Sequence, residues 1–150
     1  MITRRNSALL LAALAVCSAE AAADCKSPFA ERAQAGHFVE QWARDWNRLD
    51  IDAVVAHLSP DARMRSPLAQ HLTGQTEVQG KEAITRYWRS AYGSLSAPEL
   101  QVDAFAWDPE ICRLNIWWRA QTASGPTRAS ELMDFNNAGQ IEYGEAFYGL

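Results

Sequence analysis

Between Pro28 and Asn47 the apolar residues keep to one helical stripe, with Phe38, Val39, Trp42 and Trp46 at i, i+1, i+4 and i+8. Asp50 is placed to cap a second, short helix whose apolar face is Ile51, Val54, Val55 and Leu58. A short strand, Ala62 to Arg65, leads into Ser66-Pro67, and a loop rich in Gly and Thr runs from there to Gly80. Lys81 to Ala91 then reads as a third helix, with Ile84, Tyr87, Trp88 and Ala91 at helical spacing. After Pro98 the period changes to that of extended chain. Leu100 to Trp107 is a strand ending at Asp108-Pro109, and Ile111 to Thr122 is a longer one. In the longer strand the even positions, Cys112, Leu114, Ile116, Trp118 and Ala120, are apolar. From Arg113 on, the odd ones alternate polar residues with Trp117: Arg113, Asn115, Arg119 and Gln121. One face is therefore covered and the other freer. Ser124-Gly125-Pro126 turns the chain into Thr127 to Asn136, and Asn137-Ala138-Gly139 turns it again into Gln140 to Tyr148. Three helices followed by a meander of antiparallel strands define an α+β plan, with the helices packed on one side of a strongly curved sheet.

The first 23 residues fall outside this pattern. Arg4 and Arg5 precede an unbroken apolar run from Ala8 to Val16, and Ala21-Ala22-Ala23 fits a small-x-small cleavage site. This is the layout of a secretory signal peptide. The run is shorter than the roughly 20 apolar residues a membrane span needs, and Val16 before Cys17 speaks against a lipoprotein anchor, so no stable membrane anchor is expected. The organisation reads as a leader (1–23), a lead-in (24–35) and one domain (36–150), exported to the periplasm or the exterior after cleavage.

Composition agrees with a single folded domain: 150 residues, 48% apolar and 21% charged, at formal net charge −4. Loss of Arg4, Arg5 and Glu20 with the leader takes the charge to −5, which disfavours nucleic acid as a partner. Cys17 leaves as well, so Cys25 and Cys112 remain. They either form one bridge across 87 residues, or Cys112 is a buried free thiol on the apolar side of its strand. No metal-ligand cluster, phosphate loop or nucleophile elbow is present, and no cofactor is expected. Six tryptophans form the one compositional excess.

Specific segments carry a family likeness. Phe38-Val39-x-x-Trp42-x-x-x-Trp46-Asn47-x-x-Asp50-x-Asp52-Ala53-Val54 resembles the opening helices of the nuclear transport factor 2 / SnoaL-like superfamily. So do Ser66-Pro67 with Gly80-Lys81-Glu82-Ala83-Ile84-x-x-Tyr87-Trp88, and the ending Phe135-Asn136-x-x-Gly139-x-Ile141 through Glu145-Ala146-Phe147-Tyr148-Gly149. The resemblance spans roughly residues 36 to 149. It implies a cone with an internal pocket, and commonly a homodimer; Trp117, Tyr143 and Phe147 are candidates for its apolar patch. It does not settle activity, because the fold hosts isomerases, cyclases, hydrolases, dehydratases and binding modules. The ketosteroid isomerase branch uses a carboxylate base, a tyrosine and a carboxylic acid kept neutral. By resemblance those positions are Ser66, Trp42 and Glu131, so only the neutral acid is kept, which argues against that mechanism.

Glu131 is the leading chemical candidate. With Ser124 and Gly125 in the turn, it pairs with Trp118 and shares the covered face, where desolvation raises a carboxyl pKa. The competing reading is a rim carboxylate paired with Arg119 or Arg128. The next hairpin puts Gly144 beside Glu131, and a one-residue slip brings Glu145 inward instead. His71, in the Ser66–Gly80 loop, is a second acid/base candidate, while His37 and His57 read as helix-surface residues. Trp42, Trp46, Ser66, Trp88, Trp118 and Met133 are the expected pocket wall. The sequence thus supports an exported pocket protein for a small apolar molecule: a cofactor-independent isomerase, lyase or hydrolase acting through Glu131, or a non-catalytic binding or dimerisation module.

Overall fold

The computed structural model describes residues 25–92, 99–122 and 125–149. The expected leader (1–23), Pro98 and Ser124 lie outside the described residues. Helix α1 (Arg32–Asn47) buries Ala35, Val39, Trp42 and Trp46 at intervals of three or four. Asp45 is buried with them, and its Oδ1 accepts from Gln41 Nε2 and Arg48 Nη2, both at 2.6 Å. That pairing makes a charge on the covered face tolerable. Asp50 caps α2 (Ile51–Ala56) by accepting from the Ala53 N–H at 3.0 Å.

Strand β1 (Leu58–Arg65) starts four residues before the expected Ala62. The segment read as a loop from Ser66 to Gly80 instead contains a helix, α3 (Pro67–Thr73), and a strand, β2 (Glu77–Gln79). The start and stop chemistry of α3 is complete. Ser66 Oγ accepts from the Leu68 N–H at 3.1 Å, Pro67 opens the first turn, and Gly74 closes the last at φ +73°. Its apolar stripe is only Leu68, Ala69 and Leu72, too short to outweigh the Gly and Thr around it. The described helices therefore number four, with α4 (Lys81–Tyr92) burying Ile84, Tyr87 and Trp88.

Strands β3 (Gln101–Asp108), β4 (Arg113–Thr122), β5 (Gly125–Phe135) and β6 (Ile141–Tyr148) form the expected antiparallel meander. The six-stranded order is β2-β1-β6-β5-β4-β3. Because the β5–β6 hairpin returns the chain beside β1, β6 and β1 run parallel, and the sheet is mixed and curved without closing. The helices share one face of it: α1 lies against β3, and α4 against β1 and α2. The core between the layers includes Val39, Trp42, Ile84, Leu114, Ile116 and Met133.

One register differs from expectation. Thr122 pairs with Gly125, which sits at φ +110°, so the β4–β5 connection falls one residue early. Glu131 then pairs with Ile116, and Trp118 with Ala129. The shift is two residues, one full strand period, so Glu131 keeps the covered face. In the last hairpin Ala146 is opposite Glu131 and Gly144 opposite Met133. Glu145 pairs with Leu132 on the outer face, where it lies 3.5 Å from Arg65.

At the end of the sheet remote from α3, Phe29, Trp107 and Phe135 meet edge to face, with centroids 5.0–5.9 Å apart. The Cys25–Cys112 disulfide fastens the lead-in there, with Cα atoms 5.7 Å apart. Cys112 is not on the strand face: it precedes β4 with φ +50° and is buried. His57 is likewise not a helix-surface residue. Half-buried against Phe38 at 5.0 Å between centroids, it has its pKa lowered by desolvation, which outweighs the nearby Asp45 charge.

Candidate functional site

Between α1, α3 and α4 on one side and the concave sheet on the other lies a cavity of about 470 Å³. That is within the range of small-molecule sites. Each layer contributes by its own period. The α1 stripe supplies Trp42 and Trp46, and α4 supplies Tyr87, Trp88 and Tyr92. The even, inward positions of β4 supply Trp118 and Ala120, with Thr127 and Glu131 from β5, Tyr148 from β6 and Met64 from β1. Leu100 closes one wall. Ser66, Pro67, Leu68 and His71 form the α3 side, where the exposed His71 stands at the mouth.

Glu131 is 9% exposed and makes no hydrogen bond or ion pair among the described residues. Arg119 and Arg128, its candidate partners, both bind Asp103 instead, Arg128 at 3.4 Å. Burial alone lifts the Glu131 carboxyl to about 8, so it is mostly protonated at neutral pH. The phenols around it are also held neutral. Burial raises Tyr87 to about 12, and it raises Tyr92 and Tyr148 as well. The Tyr92 and Tyr148 hydroxyls perturb one another, and the Ser66 hydroxyl partly offsets the effect of burial on Tyr87.

The cavity brings together Trp42, Trp46, Ser66, His71, Trp88, Trp118 and Glu131. Met133 is the exception. It lies deeper, in a recess of about 20 Å³ that it shares with Gly144, Trp42 and Glu131, because its cross-strand neighbour lacks a side chain. His71 arrives on α3, not on a loop. Ser66, at the position that the resemblance assigns to a catalytic base, is occupied as the α3 cap.

Three tyrosines were missed as site residues. Tyr87 shares the α4 stripe with Ile84 and Trp88, and Tyr148 has the strand parity of Gly144 and Ala146, so both signals were readable. Tyr92 lies one residue beyond the stripe that was read. Tyr143, expected in an outer apolar patch, instead donates to Glu145 at 2.6 Å and lies under Arg63. Trp117 and Phe147 are exposed on that face. Among the described residues no group of three His, Cys, Asp or Glu side chains is placed to hold a metal ion, and no helix is long and apolar enough to cross a membrane.

The SnoaL-like domain family matches residues 39–141, and the chain belongs to that family. A SnoaL-like protein of unknown function from Burkholderia thailandensis E264 is 25% identical, with TM-score 0.68, covering 80% of this chain and 98% of the other. A protein of unknown function with a cystatin-like fold from Methylobium petroleophilum PM1 is 23% identical at TM-score 0.63, over 80% and 78% of the two chains. SalBIII, an epoxide hydrolase/cyclase-like enzyme described in pyran ring formation in the polyether salinomycin, is 15% identical at TM-score 0.61, over 80% and 94%. No curated protein sequence matches the chain.

Proposed function

We propose that the protein is a cofactor-independent proton-transfer enzyme of the isomerase, lyase or hydrolase type, acting on a small apolar molecule through Glu131. The observation that carries this reading is a carboxyl at the inner end of an apolar cavity with no counter-charge, lifted to about 8 by burial. Such a group donates a proton at neutral pH and accepts one slightly above it, where acid/base catalysis is most effective. The neutral phenols of Tyr92 and Tyr148 add donors for charge that develops on a substrate oxygen. His71, the imidazole at the mouth, is a second site for the proton. The cyclase-like relative of the same fold is consistent with this class of chemistry.

The disulfide supports an exported protein, since such bridges persist in oxidising compartments. Exposed on the outer face on either side of Ser130, Trp117 and Phe147 support a homodimer. One observation favours the binding-module alternative: among the described residues Glu131 is the only carboxyl lining the cavity.

The test uses 5-nitrobenzisoxazole, an apolar heterocycle that opens when a base removes its C3 proton. Wild-type turnover should rise with a midpoint near pH 8, and Glu131→Gln should abolish it while His71→Gln keeps the midpoint. Equal turnover by Glu131→Gln would remove the mechanism.

A further inference from the structure

We propose that the cavity receives an apolar molecule bearing a cationic nitrogen, a tertiary or quaternary ammonium, with Glu131 as its counter-charge and the surrounding rings as its cage. This rests on Glu131 facing a ligand, as in the functional reading above, but not on turnover.

Buried carboxylates are normally paired, and an unpaired one is costly unless it stays protonated. No lysine or arginine of the described residues lines the main cavity. Arg63 reaches only the adjoining recess, where it is taken up by Glu77 at 3.9 Å and by the Tyr143 ring. The site therefore holds a negative charge in waiting and no resident cation, so the ligand is the natural source of one. The groups that line the cavity with Glu131 from the packed elements include Tyr87 and Tyr92 on α4, Tyr148 on β6, His71 on α3 and Trp42 and Trp46 on α1.

Trp42, Trp46, Trp88, Trp118, Tyr92 and Tyr148 all line this one space. They meet one another edge to face, with centroids 5.2 Å apart for Trp46–Trp88 and 6.2 Å for Trp118–Tyr148. Aromatic faces attract cations, tryptophan most strongly, and clustered rings are the usual receptors for alkylated ammonium groups. Among the described residues the cation–π contacts use Phe105 and Tyr143, and none engages a cavity ring. A neutral ketone or ether would accept from the protonated carboxyl and the phenols, and its binding would not strengthen as Glu131 ionises.

Proton balance makes the idea measurable. A fixed cation binds the ionised form of Glu131, so its entry displaces the carboxyl proton to solvent. With the free carboxyl near 8, affinity rises about 50-fold from pH 6 to pH 8. The probe is benzyltrimethylammonium, titrated by tryptophan fluorescence against its uncharged carbon isostere, neopentylbenzene. The expected result is cation binding that strengthens with pH, weaker and pH-flat binding of the isostere, and loss of the slope in Glu131→Gln but not in His71→Gln. The proposal is overturned if the isostere binds wild-type protein as tightly as the cation, or if the cation shows no pH dependence. The wild-type comparison needs no variant to fold. Absence of cation binding with intact 5-nitrobenzisoxazole turnover rejects this inference alone, whereas cation binding without turnover rejects the catalytic reading alone.

Discussion

The Asn47 side chain holds both backbone groups of Leu100: its Nδ2 donates to the carbonyl at 2.9 Å, and its Oδ1 accepts from the N–H at 2.6 Å. This pair of bonds joins the end of α1 to the approach to β3, 53 residues later, and sets the Leu100 wall of the cavity. Asn47→Ala leaves two partly buried backbone groups unpaired and should cost about 2 kcal/mol in urea unfolding. Benzyltrimethylammonium binding should weaken in parallel, whereas a stability unchanged from wild type would show that solvent replaces both bonds.

Glu131 makes the fold less stable as pH rises. Its folded pKa of about 8 lies above the reference value of 4.5, so between those values the native state binds more protons than the unfolded one. The stabilisation from this group is complete below about pH 4.5 and is lost as pH rises through 8. Its share of the loss between pH 5 and pH 8 is about 3.5 kcal/mol. Glu131→Gln should remove that share, which is read as a flatter stability–pH curve and higher stability than wild type at pH 8.

The Cys25–Cys112 bridge closes an 87-residue separation. In the chain-entropy picture such a loop stabilises by about 4–5 kcal/mol. Reduction, or the double change Cys25→Ser with Cys112→Ser, should lower Tm markedly and release the lead-in. Limited proteolysis would then cut first near Phe29; an unaltered Tm would contradict this role.

Ser66→Ala removes the α3 cap and the hydroxyl beside Tyr87. A loss of about 1 kcal/mol is expected. Hydrogen exchange should quicken in α3, the element that carries His71, with the meander strands unaffected.

Much of the fold was legible because long elements carry unambiguous periods, as in Trp42 and Trp46 on α1 or Leu114 and Ile116 on β4. Glu131 was placed on the inner face despite a misread turn, because a two-residue shift preserves strand parity. The α3 helix was missed for a local reason: seven residues provide caps but little amphipathic signal. Tyr92 was missed because a helical stripe does not reveal where its final turn ends. The neighbours of Cys112 are strand-like, yet its own left-handed backbone is imposed by the turn, which only tertiary structure reveals.

The central claim is an uncompensated, buried acid at the inner end of the cavity. Its most direct test is the titration of the Glu131 side-chain carboxyl by ¹³C NMR, with Glu131→Gln providing the assignment. The account predicts a midpoint near pH 8 that falls when benzyltrimethylammonium is added. A midpoint near 4.5 in the free protein would contradict it.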